Sequence, residues 1–268
     1  MSATSDTRPD SWRKPPFIAN PVLRYALYLG ALVYIVFTLA TLPIDWDRVS
    51  DGLSRAQRIF SGAFPPSFDR AGLLFDGFME SLKIAIIATV GGIILSVPLA
   101  FMAAGNIAPK PIYLLGRAII IIARSFHPVI VAIIFVKAVG FGPFAGALTL
   151  VVYSVGFVAK LLAERIEEID FGQVEAMRSA GAGFLTTQVY AVLPQVMPRL
   201  VGLGIYQLDS NLRASAVVGI VGAGGIGATL ANAFGRYDYD FALAITMVIV
   251  GVILVSEAVS GVIRKRIT

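Results

Sequence analysis

Six apolar stretches dominate the sequence, near residues 23–43, 82–104, 118–139, 141–163, 196–222 and 241–263. Each is long enough to cross a bilayer, which takes about 20 predominantly apolar residues. In lipid a lone segment must satisfy its own backbone hydrogen bonds, and a helix does so where an isolated strand does not. Composition agrees. Of 268 residues, 57% are hydrophobic and 15% are charged, against about 25% charged in a soluble domain. The fold expected is an all-α polytopic membrane protein with about six transmembrane helices.

Several chemistries fall away at once. The chain has no cysteine and one histidine, so disulfides, thiolate metal sites and cysteine nucleophiles are excluded and no metal site is expected. The net charge of +5 reports topology in a chain this apolar, and no nucleic-acid partner is expected. Six spans put both termini on one side. That side would hold Arg8, Arg13, Lys14, Arg24, Lys110, Arg117, Lys160, Arg165, Arg178, Arg199, Arg264, Lys265 and Arg266, and the other only Arg48, Arg55, Arg58, Arg70 and Arg236. Lys83, Arg124, Lys137 and Arg213 fall inside or at the ends of spans. The positive-inside rule therefore places both termini in the cytoplasm. Val22 to Leu42 exceeds the apolar region of a signal peptide, and no small-x-small cleavage site follows, which favours a retained helix. Residues 1–21 are then a cytoplasmic tail, 22–80 the first span with an extracytoplasmic loop lying partly along the outer membrane surface, and 81–268 a five-helix core. The turn Gly140-Phe141-Gly142-Pro143 joins the third and fourth spans as a hairpin.

The cytoplasmic loop at about 164–194 carries the strongest functional signal. Glu175 to Ala180 reads as a short helix, ended by the permissive backbone of Gly181 and Gly183. Pro194 suits the first turn of the next helix. A short helix, a sharp turn and a second helix entering the membrane could transmit force from a partner. The run Glu175-Ala176-Met177, then Gly181 and then Leu193-Pro194 resembles the signature of bacterial ABC-importer membrane subunits. Their pattern is Glu-Ala-Ala, three residues, Gly, nine residues, Ile, one residue, Leu-Pro. Met177 and Ala191 depart from it, both apolar and so compatible with filling a socket. By this resemblance the loop is a coupling helix seated in a groove of a cytoplasmic ATPase, with Glu175 in contact and Gly181 setting the turn.

Gly222, Gly224 and Gly227 match G-x-G-x-x-G, and Asp238 stands where a ribose partner might fall. A dinucleotide site needs a βαβ unit in a soluble parallel sheet, whereas apolar helices flank this loop and the charge count puts it outside the cell. Close helix packing is the simpler account of Gly222, Gly224, Gly225 and Gly227, and a transient backbone nest for an oxyanion the sharper one. The stretch from Arg213 to Gly227 and the hairpin from Phe135 to Gly146 resemble phosphonate-importer membrane subunits, over roughly residue 75 to the C-terminus. Methionine-importer subunits share the loop and a Gly-rich segment, so an importer permease for another small solute such as methionine is the alternative this resemblance implies. The resemblance implies a type I, methionine-importer-like permease core in a bacterial plasma (inner) membrane. It also implies a second copy of the chain, a cytoplasmic ABC ATPase dimer and an extracytoplasmic substrate-binding protein, with phosphonate, phosphate or phosphite as cargo. No cofactor is expected in the chain, which lacks the Walker phosphate loop. ATP and Mg belong to the partner, and the chain is not an enzyme.

Ionisable groups inside spans face a pathway or a partner, since they are expensive in lipid. Arg124 and His127, three apart, are expected on one helical face with a kink at Pro128. Asp209 and Arg213 are four apart in the fifth span. All four are substrate-path candidates. Bland readings stand beside these: a self-neutralising pair for Asp209 and Arg213, snorkelling for Arg124 and packing for His127. Two other classes compete. A gradient-driven secondary transporter would show repeats, broken helices and buried carboxylates, and the sequence shows no repeat. An intramembrane enzyme would need a nucleophile and a base, which one histidine and scattered serines do not supply.

Overall fold

The computed structural model describes Ile18 and residues 20–43 and 45–267, with side chains as far as Ile263. Arg8, Arg13 and Lys14 of the expected tail, and the side chains of Arg264, Lys265 and Arg266, lie outside the described residues. Two compact units are present, Met1–Gln57 and Arg58–Thr268.

The first unit holds α1 (Pro21–Thr41) and most of α2 (Trp46–Ala63). Asn20 caps α1 by accepting hydrogen bonds from the Val22 and Leu23 amides at 3.0 and 3.4 Å, and Pro21 occupies the first helical position, where its missing N–H is not needed. No residue of α1 is buried, as suits an apolar helix whose solvent is lipid. The segment expected as a loop at 44–80 is mostly helix. Apolar Trp46, Val49, Leu53 and Phe60 alternate with Asp and Arg along α2, too many charges for a span and the pattern of an interfacial helix.

The second unit contains α3 (Ala71–Met102), α4 (Lys110–Ser125), α5 (Pro128–Val139), α6 (Pro143–Glu167) and the short α7 (Phe171–Ser179). They are followed by α8 (Phe184–Thr187), α9 (Leu193–Val218), α10 (Gly225–Gly235) and α11 (Tyr239–Ile267). Among the described residues, five helices are long and apolar enough to span. The α4–α5 pair, bent by 90°, makes a sixth if counted as one.

Three expectations are corrected. The second span begins at Ala71, so a boundary at 80/81 cuts a helix; Asp76, Glu80 and Lys83 interrupt the apolar run, not the backbone. The third span is two helices rather than one kinked helix. The fifth begins ten residues before Pro194, at Phe184. A wide π turn at Gln188–Val192, where the Leu193 amide bonds Gln188 O, precedes Pro194 and accommodates its missing N–H.

Helices α3 and α6 pack at the centre. Small residues permit it: a Cβ on Gly92 would collide with Ser154, so their backbones approach as only small side chains allow. The same surfaces bury Ala85, Ala88, Ala159 and Ala163, while Ile87, Leu95, Ile121, Ile134 and Leu254 point outward and stay exposed, the distribution for a lipid solvent. Polar latches close both ends. At one end Glu167 Oε1 accepts from Arg117 at 2.8 Å and from the Gly105 amide at 2.7 Å, joining α6, α4 and the α3–α4 turn. At the other, Arg70 pairs with Asp238 at 3.1 Å and lies over the Phe241 ring. Asp238 is thereby engaged in an ion pair at a helix start.

Candidate functional site

Helix α7 is built to be held rigidly at one end of the bundle. Asp170 caps it by accepting from the Gly172 amide at 2.9 Å. Its last turn closes as a Schellman motif: the Gly181 amide bonds Arg178 O and the Ala182 amide bonds Met177 O, both at 3.0 Å. Gly181 has φ +81°, the left-handed conformation this motif requires. A side chain that the sequence reading passed over fixes the segment. Gln195 of α9 accepts the Asp170 amide at 2.9 Å and donates to Asp170 O at 3.2 Å and to Ala191 O at 2.7 Å.

The two faces of α7 differ. Val174 is buried and Met177 packs on the core formed by α3, α6 and α9. Glu175, Ala176, Ser179, Ala180 and Gly181 are exposed. Ala191 is buried and Leu193 half-buried, while Pro194 is exposed. Hence the expectation that Met177 and Ala191 fill a partner's socket is corrected: both face the chain's own core. The departures from the signature leave the outward surface intact.

Of the four substrate-path candidates, Asp209 and Arg213 form the expected pair, and Asp209 also accepts from Ser256 of α11 at 2.6 Å. Asp209 is buried, whereas 48% of the Arg213 side chain is exposed. Arg124 and His127 do not share a helical face. Arg124 is in the last turn of α4 and packs along Gly156. His127 lies beyond the break and caps α5, its Nδ1 accepting the Val129 amide at 3.3 Å. The break leaves His127 beside α6 and α9, where it lines a cavity of about 330 Å³ with Pro128, Tyr153, Ser210, Arg213 and Val217. A second cavity of about 780 Å³ continues toward the α7 end, between Phe157, Leu161 and Glu164 of α6 and Arg199, Gly202 and Tyr206 of α9. Tyr153, Phe157, Leu161 and Glu164 form one stripe on α6, and Arg199, Tyr206, Ser210 and Arg213 one on α9, at intervals that keep side chains on one helical face. Phe157 and Tyr206 stack at 5.4 Å between ring centroids.

Behind this face α9 is bonded to its neighbours through neutral polar groups. Gln207 Nε2 donates to Ser154 at 3.0 Å and to Asn211 Oδ1 at 3.1 Å, and Asn211 Nδ2 donates to Thr89 at 2.9 Å. These four buried side chains tie α3, α6 and α9 together without a charge. Only close spacing of polar residues on α9 (Gln207, Asp209, Ser210, Asn211, Arg213) advertises them in the sequence.

The glycine segment resolves toward packing. Gly222, Gly224 and Gly225 all have positive φ. A Cβ on Gly225 would strike Ser81, and one on Gly227 would strike the Ala216 carbonyl. The Ile226 amide is taken by Ser81 Oγ at 2.9 Å. The Glu80 carboxylate lies beside Gly224, 2.9 Å from where a Cβ would be, which is repulsive to an anion and disfavours the nest. Among the described residues no cluster of metal-ligating side chains occurs.

A family model described as "Binding-protein-dependent transport system inner membrane component" matches residues 96–268. The chain is 44% identical over 211 residues to a Phosphate-import permease protein PhnE of Mycolicibacterium smegmatis; the match covers 78% of this chain but 40% of that one. It is 38% identical over 240 residues to the Phosphite transport system permease protein PtxC of Stutzerimonas stutzeri, covering 88% and 87%. A solved inward-facing MetNI methionine ABC transporter superposes with TM-score 0.65 at 23% identity, over 75% of this chain and 99% of the other.

Proposed function

Because the chain belongs to the binding-protein-dependent transport system inner membrane component family, we propose that it is the membrane-spanning subunit of an ATP-driven importer of a small phosphorus oxyanion (phosphonate, phosphite or phosphate). ATP and Mg would be bound by a separate cytoplasmic ATPase dimer. An extracytoplasmic binding protein would deliver the cargo, and two copies of this chain would enclose the path. We read the α7 end as the cytoplasmic one, since Lys110, Arg117, Lys160, Arg165, Arg178 and Arg199 gather there, and by the same charge rule we propose that both termini are cytoplasmic.

The observation that carries this reading is α7 itself. It is a capped helix fastened through Gln195 to the spanning α9, with Glu175 and Ala176 left uncovered. Motion imposed on α7 passes into α9, whose outward stripe lines both cavities. The chain thus converts a partner's movement into opening on one side or the other. The identities to phosphate- and phosphite-system permeases support the cargo class. The broken α4–α5 span and buried Asp209 are features a gradient-driven transporter would share, so the partner is the discriminating test. The ATPase should co-purify with wild type from native membranes and be lost with Glu175→Lys and with Gly181→Pro, a residue whose ring cannot adopt φ +81°. Retention by both variants, with the chain intact, would return the lead to the gradient-driven class.

A further inference from the structure

We propose that Arg213, Ser210, Tyr153 and His127 form a low-affinity oxyanion station partway along the translocation path, a site that rests on the importer reading and names its contacts. The four side chains come from the α5 break, α6 and α9 and line one cavity of about 330 Å³, at the small end of the range for ligand sites. Their chemistry is matched to an anion. The guanidinium offers N–H donors in a planar fork suited to phosphoryl oxygens. One nitrogen, Nη2, is committed to Asp209, and half of the side chain remains exposed. Ser210 and Tyr153 bring hydroxyls. In the neutral His127 ring, Nδ1 accepts the Val129 amide, so the proton resides on Nε2 as a further donor.

The same geometry explains why such a site would release its cargo. Asp209, held by Ser256, orients Arg213 and cancels its formal charge. What remains for a passing oxyanion is a set of hydrogen-bond donors with little net field. Those donors offset desolvation of the anion without the deep well that a cluster of uncompensated cations would make. Arg124, on the other side of the break, is absent from the cavity lining and takes no part.

The test uses the full transporter, with its ATPase and binding protein, reconstituted in vesicles. Uptake of labelled phosphate, phosphite and methylphosphonate is measured for wild type, Tyr153→Phe, Ser210→Ala, their double variant and Arg213→Lys. Each lost hydroxyl should lower uptake at saturating loaded binding protein by about tenfold, the scale of a hydrogen bond to a charged group. The ATPase should still co-purify in wild-type amount. Arg213→Lys, which keeps the charge and loses the fork, should change the preference among the three anions, a readout that a packing role would not move. Wild-type rates and preferences in the double variant would overturn the station while leaving the importer intact. If wild type moves none of the three anions but imports another solute, the cargo reading falls and the station falls with it.

Discussion

At Gly181 the requirement is conformational, not steric. Its φ is +81°, yet a Cβ there would meet nothing within 4 Å. Substitution therefore costs only what a left-handed backbone costs an L-residue, about 1–2 kcal/mol, and asparagine tolerates that region better than β-branched residues do. Gly181→Asn should retain most of the ATPase co-purification, Gly181→Ala less, and Gly181→Val least; an equal loss in all three would mean that the site needs a small surface instead of a left-handed turn. The Asp209–Arg213 pair makes the opposite kind of demand. Arg213→Gln leaves a buried carboxylate with Ser256 as its remaining partner, whereas Asp209→Asn/Arg213→Gln removes both charges. Since unpaired buried charge is the expensive state, the single variant should melt at a lower temperature in detergent than the double. The reverse order would place the stabilisation in Arg213 alone.

Gln195 shows what an element-level contact does that a motif does not reveal. Its side chain joins the start of α7 to α9 by two hydrogen bonds and adds a third to Ala191 O in the π turn that precedes α9. Gln195→Ala should loosen α7 by about 1 kcal/mol per bond without touching its exposed face. The expected outcome is an ATPase that still binds but a transport-to-hydrolysis ratio several-fold lower; loss of binding would instead make Gln195 part of the docking surface. The elements themselves were readable because a span in lipid closes its own hydrogen bonds, so an apolar run is nearly a sufficient description of α1, α6 and α11. The start of α3 was not, because Asp76 and Glu80 end the apolar signal without ending the helix. Pro128 marked where α4 and α5 part, but the 90° angle depends on packing against α6 and α9, which no local pattern encodes. The short helix before Gly181 and the turn at Gly181 itself were legible. Tyr153, Ser210 and Gln195 were not: Ser210 stands among Asp209, Asn211 and Arg213 with nothing local to single it out, and the meaning of all three comes from neighbours distant in sequence.

Across the whole core, the stripes on α6 and α9 line two cavities, and the aromatic pair Phe157–Tyr206 belongs to the lining of the larger. The upper, smaller chamber carries donors from Arg213, Ser210 and Tyr153. The lower one, toward α7, carries Glu164, Arg165, Glu168 and Arg199, a mixed-charge vestibule that would bind an oxyanion weakly. Phe157 and Tyr206 lie one turn below Tyr153 and Ser210 on their respective helices, so the stack sits where the chambers would join. In the proposed importer those chambers must not open together, or an anion gradient would dissipate. Apolar ring faces suit that task, because a hydrated anion cannot shed its water against them without cost. In the proposed importer, displacement of α7, which is fastened to α9 through Gln195, would shift Tyr206 relative to Phe157 and so couple the partner's cycle to the partition. Phe157→Ala should therefore raise the ATP-independent leak of phosphate from loaded vesicles several-fold, and Phe157→Tyr, which keeps the ring, should stay tight. A tight Phe157→Ala transporter would assign the stack to packing and leave closure of the path to residues nearer the α10 end.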